Sequence, residues 1–123
     1  MADVHMCGII ANTNMNQLDS IFKQLFQNCD YSLENMSELY IEDADFDIFI
    51  QDDIAKTKEY TQGNYDYLVS GLHQGGLDKV QSLLEKIAAT LEANNLKYSF
   101  EFFEENSQGV EKEKQHIIRH REF

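Results

Sequence analysis

The chain has 123 residues, 42% of them hydrophobic and including eight Phe and six Tyr, which is enough for one domain (residues 1–123) with a real core. Twenty-two acidic against ten basic residues give a formal charge of −12, which argues against a salt-dependent grip on phosphate backbone or anionic membrane. No apolar run nears the roughly 20 residues needed to span a bilayer, so neither nucleic acid nor membrane is an expected partner.

The opening "MADVHMCGIIANTN" lacks the basic and long apolar regions of a signal peptide, and isolated Cys7 and Cys29 read as reduced, buried thiols of a cytoplasmic protein. Within it "VHMCGIIAN" (residues 4–12) is short, apolar and β-rich, as a central strand is. Asn14 or Asn16 can cap a helix that carries Leu18, Ile21, Phe22, Leu25 and Phe26 at helical spacing through about Asn28. Residues 30–42 are polar and acidic and show no clear period.

Alternation then becomes plain. Ala44, Phe46, Ile48 and Ile50 point one way and Asp43, Asp45, Asp47 and Gln51 the other, with Phe49 as the apolar residue on the wet side of a half-buried strand. A polar connection, "DDIAKTKEYTQGN", leads to a second strand from Tyr65 to Leu72, which "QGG" ends. Leu77, Val80, Leu83, Leu84, Ile87, Ala88 and Leu91 form the apolar stripe of a helix that should stop near Asn94 and Asn95. Residues 97–105 and 114–123 read as two strands around a turn at 106–113.

The resulting order, β-α-β-β-α-β-β, predicts an α+β fold. It is an antiparallel sheet with both helices packed on one face, ferredoxin-like with an extra C-terminal strand.

Asp43, Asp45 and Asp47 have the D-x-D-x-D spacing of a calcium loop, but the required Gly and Glu positions hold Ile48 and Ile54. Carboxylates on alternate strand positions also stand roughly 6.6 Å apart along the chain, too far to converge unaided on one ion. His5, Cys7, His116 and His120 could meet as zinc ligands, or as nucleophile and base, if their strands were neighbours, yet they lack the close-spaced pairs of zinc sites and any positive charge to activate Cys7. Gly75 and Gly76 open a helix without a phosphate-loop Lys and read as turn chemistry. No catalytic residue, cofactor or metal is expected.

Charge distribution points elsewhere. Asp30 to Asp66 holds eleven acids against two bases, a local net of −9, while residues 67–123 hold nine acids against seven bases, a net of −2. Such asymmetry marks either a solvated face or an electrostatic interaction surface.

"VHMCGIIAN" together with "YLVSGLHQGGLDKVQSLLEKIAATL" resembles the small acidic immunity proteins of bacterial polymorphic toxin systems. The shared features are an opening strand with a Gly, an aromatic strand ending in S-G-x-H, and a Gly pair leading into a Leu-rich helix. The resemblance implies a non-catalytic inhibitor of a cognate protein toxin with a basic surface. On that reading the binding residues are Tyr40, Glu42, Asp43, Asp45, Asp47, Phe49, Asp52 and Asp53, with Asp43, Asp45 and Asp47 forming an outward row, Phe49, exposed beside the acids, as the first aromatic anchor and Tyr40 as the second. The alternative is a ferredoxin-like small-molecule-binding or regulatory domain that uses Tyr65, Tyr67, Phe100, Phe102 and Phe103. Self-association through a C-terminal strand edge also stays open.

Overall fold

A computed structural model of the chain describes residues 3–53, 63–104 and 116–123. The expected middle of the connection at 54–62 and the expected turn at 106–113 lie outside them.

Among the described residues nine elements follow in chain order: β1 (Val4–Thr13), α1 (Met15–Leu25), β2 (Asp30–Glu34), β3 (Glu38–Glu42), β4 (Phe46–Asp52), β5 (Tyr65–His73), α2 (Leu77–Ala93), β6 (Lys97–Glu104) and β7 (His116–Arg119). All seven strands join one sheet in the order β2-β3-β4-β5-β1-β6-β7, every pairing antiparallel.

This overturns the expected ferredoxin-like β-α-β-β-α-β sheet with one added C-terminal strand. Residues 30–42, expected to lack a period, form two strands around a turn in which Asn35 and Met36 both have positive φ. Each strand offers only two inward apolar side chains, Tyr31 with Leu33 and Leu39 with Ile41, between outward acids. The signal is a true period of 2, but it is too short to stand out from an acidic background.

Strand alternation sends Val4, Met6 and Ile10 of β1, Ile48 and Ile50 of β4, Tyr67 and Val69 of β5, and Tyr98, Phe100 and Phe102 of β6 into one buried core. The helices contribute Leu18, Ile21 and Phe22 from α1 and Val80, Leu84, Ile87 and Leu91 from α2 to that same core. Helix α1 starts where the Asn14 side chain accepts a hydrogen bond from the Gln17 N–H at 2.9 Å, which satisfies one of the orphan donors of its first turn. Helix α2 ends at Asn94, with Asn95 beyond it in the left-handed region at φ 60°. Gly71 is required by packing, because a Cβ there would come within 2.2 Å of the Asp47 carbonyl oxygen. No helix among the described residues is long and apolar enough to cross a membrane.

The β2–β3 hairpin is tied to the helical layer through Tyr31. Its hydroxyl donates to the Asp19 carboxylate of α1, and the Lys23 ammonium lies 5.8 Å from the centre of its ring. Burial, followed by the Asp19 hydrogen bond and charge, pushes the Tyr31 pKa well above the ordinary tyrosine range. A hydrogen bond to an ionised partner contributes more than a neutral one, so Tyr31→Phe is expected to cost about 1–2 kcal/mol of folding free energy in urea denaturation. An unchanged midpoint would mean that the hairpin is held by apolar burial alone.

Candidate functional site

Because both helices bury themselves against one side of the sheet, the other side carries none of the helix core residues, and its side chains fall into three rows across the strands. The middle row runs Ser32, Tyr40, Phe49, Ser70, Cys7, Glu101, Ile117. On one side of it lie Asp30, Glu42, Asp47, Leu72, His5 and Phe103, and on the other Glu34, Glu38, Gln51, Leu68, Ile9, Ser99 and Arg119.

The face therefore has two halves. On β2, β3 and β4 the Tyr40 and Phe49 rings stack at 4.7 Å between centroids, with acidic residues along both sides. Five of these acids form three directly opposed like-charge pairs, Asp30 with Glu42, Glu42 with Asp47, and Glu34 with Glu38. Like charges placed opposite each other in a sheet are destabilising, so this half is electrostatically costly to the fold. Among the described residues, these three strands place no Lys or Arg on this face. Tyr40 is 42% exposed and donates to Glu38 Oε2 at 2.6 Å; that hydrogen bond, then partial burial and the charges of Glu38 and Glu34, raise its pKa. Asp47 accepts from the Leu72 N–H at 3.3 Å, which fixes its carboxylate over the β4–β5 seam.

The second half, on β5, β1 and β6, is a shallow trough. Small residues Ser70 and Cys7 form its floor between Leu72, His5 and Phe103 on one side and Leu68 and Ile9 on the other. The His5 and Phe103 rings stack at 5.2 Å. A groove of about 410 Å³ lies against His5, Cys7, Asp47, Ser70, Leu72 and Phe103, and a second of about 260 Å³ is walled by Cys7, Ile9, Ser99, Glu101 and Phe123.

Of the eight residues expected to bind a partner, Tyr40, Glu42, Asp47 and Phe49 come together on the acidic half. The outward row of Asp43, Asp45 and Asp47 does not form. Strand β4 begins only at Phe46, and the Asp43 N–H donates to the Phe46 carbonyl, which closes a turn. Asp43 lies beside Cys29, whose thiol pKa is raised first by burial and then by Asp43. The Asp45 carbonyl accepts from the Gln74 N–H at 2.8 Å at the β5–α2 corner. Asp52 and Asp53 lie at the far end of β4, where the Asp53 N–H donates to the Asp66 carbonyl at 3.0 Å.

Sequence reasoning missed Asp30, Glu34 and Glu38, because the strands that carry them were missed. It also missed the floor residue Ser70, whose outward parity was readable once β5 was placed.

His5, Cys7, His116 and His120 do not meet. Strands β1 and β7 lie on opposite sides of β6, and His116 stacks on Phe102 of the helix-covered face while His5 and Cys7 sit on the open one. His120 is placed 3.7 Å from Glu92 and edge-on to Tyr98. Cys7 is exposed rather than buried, and it forms no disulfide with Cys29. The aromatic set proposed for a small-molecule pocket is divided by the sheet, with Phe100 and Phe102 in the core and Phe103 on the open face. Among the described residues, no group of three or more His, Cys, Asp or Glu side chains is placed to hold a metal ion.

Comparison of the chain with models of known protein families, with curated proteins and with solved structures finds no match.

Two buried or crowded groups give opposite pH dependences. Burial, then the charges of Glu38 and Asp53, raises the Asp52 pKa, so the fold favours the protonated acid and its stability rises as the pH falls from 7 through that raised value. Asp52→Asn is expected to raise Tm at pH 7 by about 1–3 °C, with the gap to the parent protein closing toward about pH 4 in thermal melts.

His73 is 5% exposed, its Nδ1 accepts from the Gly75 N–H at 2.8 Å, and burial lowers its pKa despite nearby Asp45. The fold therefore holds neutral imidazole, a contribution complete above about pH 6.5 and lost as the pH falls below it. In His73→Gln that acid-side loss should vanish, at a cost of about 1–2 kcal/mol at pH 7, with urea midpoints across pH as the readout.

Proposed function

We propose that the protein is a non-catalytic binding module that neutralises a cognate bacterial toxin, as the small acidic immunity proteins do, and that the β2–β4 half of its open sheet face takes a basic surface of that toxin. The supporting observation is the stacked Tyr40–Phe49 pair framed by three opposed like-charge pairs. Aromatic anchors ringed by polar groups are the usual source of affinity in protein interfaces, and a single-signed charge field accelerates encounter with an oppositely charged partner. The same carboxylates would gain Lys or Arg neighbours in the complex and lose the repulsion they impose on the free fold.

The roles divide accordingly. Phe49 and Tyr40 hold the partner, and Glu42 with Asp47 steer it. Asp45, placed in the β3–β4 turn, belongs to neither group.

The partner is sought by pull-down of the tagged protein from lysate containing the products of neighbouring genes, washed at low and at high salt. A basic partner whose expression arrests growth, with relief on co-expression of this chain, is the expected outcome. With that partner, Phe49→Ala should raise the dissociation rate about thirtyfold, whereas Glu42→Gln with Asp47→Asn should slow association several-fold and flatten its salt dependence. Equal effects of the two variants on both rates, at both salt concentrations, would sink this division.

A further inference from the structure

We infer that the open face recognises a bipartite element of its protein partner: a Lys or Arg side chain over the Tyr40–Phe49 pair, and an apolar side chain seated in the trough above Ser70 and Cys7. This inference rests on the acidic-surface reading above and adds to it the second contact and the spacing between the two.

The two subsites belong to one transverse row, because Phe49 is opposite Ser70 and Ser70 is opposite Cys7. With neighbouring strands about 4.8 Å apart, the centres of the two subsites, one between Tyr40 and Phe49 and the other between Ser70 and Cys7, stand about 10 Å apart, and their outer members Tyr40 and Cys7 about 14 Å apart. Side chains at i and i+4 of an extended segment lie about 13 Å apart and point the same way, which falls within that span. At the first subsite a cation meets two stacked ring faces with carboxylates on both flanks, so ion pairing and cation–π attraction act together. At the second, Ser70 and Cys7 are low between taller neighbours, and Leu72 is 36% exposed, so an apolar group seated there removes apolar surface from water.

Charge complementarity decides the occupant. A second copy of this chain would bring another formal charge of −12 and a like set of opposed acids, whereas a basic segment cancels them.

The test uses three synthetic peptides on the intact, isotope-labelled protein, followed by amide chemical shifts. They are acetyl-Arg-Ser-Gly-Ser-Phe-amide, the same peptide with Ala for Phe, and the same with Glu for Arg. The Arg–Phe peptide is expected to bind about tenfold more tightly than either control, because two linked contacts act at high effective concentration. Its shifts should cover both Tyr40 with Phe49 and Ser70 with Cys7. Ser70→Tyr, at an exposed position, should erase the advantage of Phe over Ala.

Equal binding of the Arg–Phe and Arg–Ala peptides, with shifts confined to Tyr40 and Phe49, would overturn the second subsite and leave the acidic-surface reading standing. Binding of the Glu peptide at the same residues as tightly as the Arg–Phe peptide would overturn both. Concentration-dependent dimer formation through this face, without peptide binding, would overturn the inference in favour of self-association.

Discussion

Everything in this fold follows from one-sided burial. Seven strands alternate in and out, and two helices cover the side to which Val4, Ile10, Ile48, Ile50, Phe100 and Phe102 point. An antiparallel sheet tolerates this arrangement because its second face can remain wet without leaving ladder hydrogen bonds unmade. The in-pointing half of each strand is therefore committed to packing, and Gly71 shows how tightly, since even a methyl group there would strike the neighbouring strand. The out-pointing half is released from packing and can be selected for something else.

The β2–β3 hairpin links stability to the site. Without it the open face would carry Phe49 and Asp47 at its edge; with it, Tyr40 gains a position beside Phe49, and Asp30, Glu34, Glu38 and Glu42 form the flanks. The hairpin is held from the opposite side of the sheet by Leu39 and Ile41, which are buried, and by the Tyr31 hydroxyl on Asp19. Side chains that fix the hairpin and side chains that present the acids alternate along the same two strands. A core substitution at Leu39 would then move Tyr40 and Glu38, and so act on the proposed binding through geometry rather than contact.

What the sequence disclosed followed the length of each pattern. Helix α2 has an apolar stripe sustained over several turns, and α1 has a capping Asn14, so both were readable within a few residues of their ends. Phe49 was correctly placed on the wet side, because Phe46, Ile48 and Ile50 define the alternation around it. The hairpin escaped notice because four inward residues are too few to establish a period, and because its turn uses Asn35 and Met36 instead of the glycine that normally signals positive φ.

Extending the alternation back through Asp43 and Asp45 also misled, since a row of acids at even spacing continues smoothly from a turn into a strand. Only the Asp43 to Phe46 hydrogen bond marks the boundary. Proximity of His5 and Cys7 to His116 and His120 depends on strand order and on face, and neither can be read from local spacing.

The electrostatic arrangement of the open face runs against what folding alone would favour. A wet sheet face that serves solubility gains from alternating signs, because opposite charges across a strand pair contribute roughly 0.2–1 kcal/mol and like charges subtract a similar amount. Here Asp30, Glu42 and Asp47 are consecutive across three strands, and Glu34 faces Glu38, while the nearest bases in sequence are Lys23 and Lys56. At the end of β4 the Asp52 pKa is raised first by burial and then by the charges of Glu38 and Asp53.

A stability cost concentrated around one stacked aromatic pair is more economically explained by binding than by folding, since a basic partner would convert each repulsion into an attraction. Under the proposed function the cost would also confer selectivity. An acidic or neutral surface brought to this face would have to desolvate the same carboxylates with nothing to pair them, so the feature that weakens the free protein is the one that would reject the wrong partner.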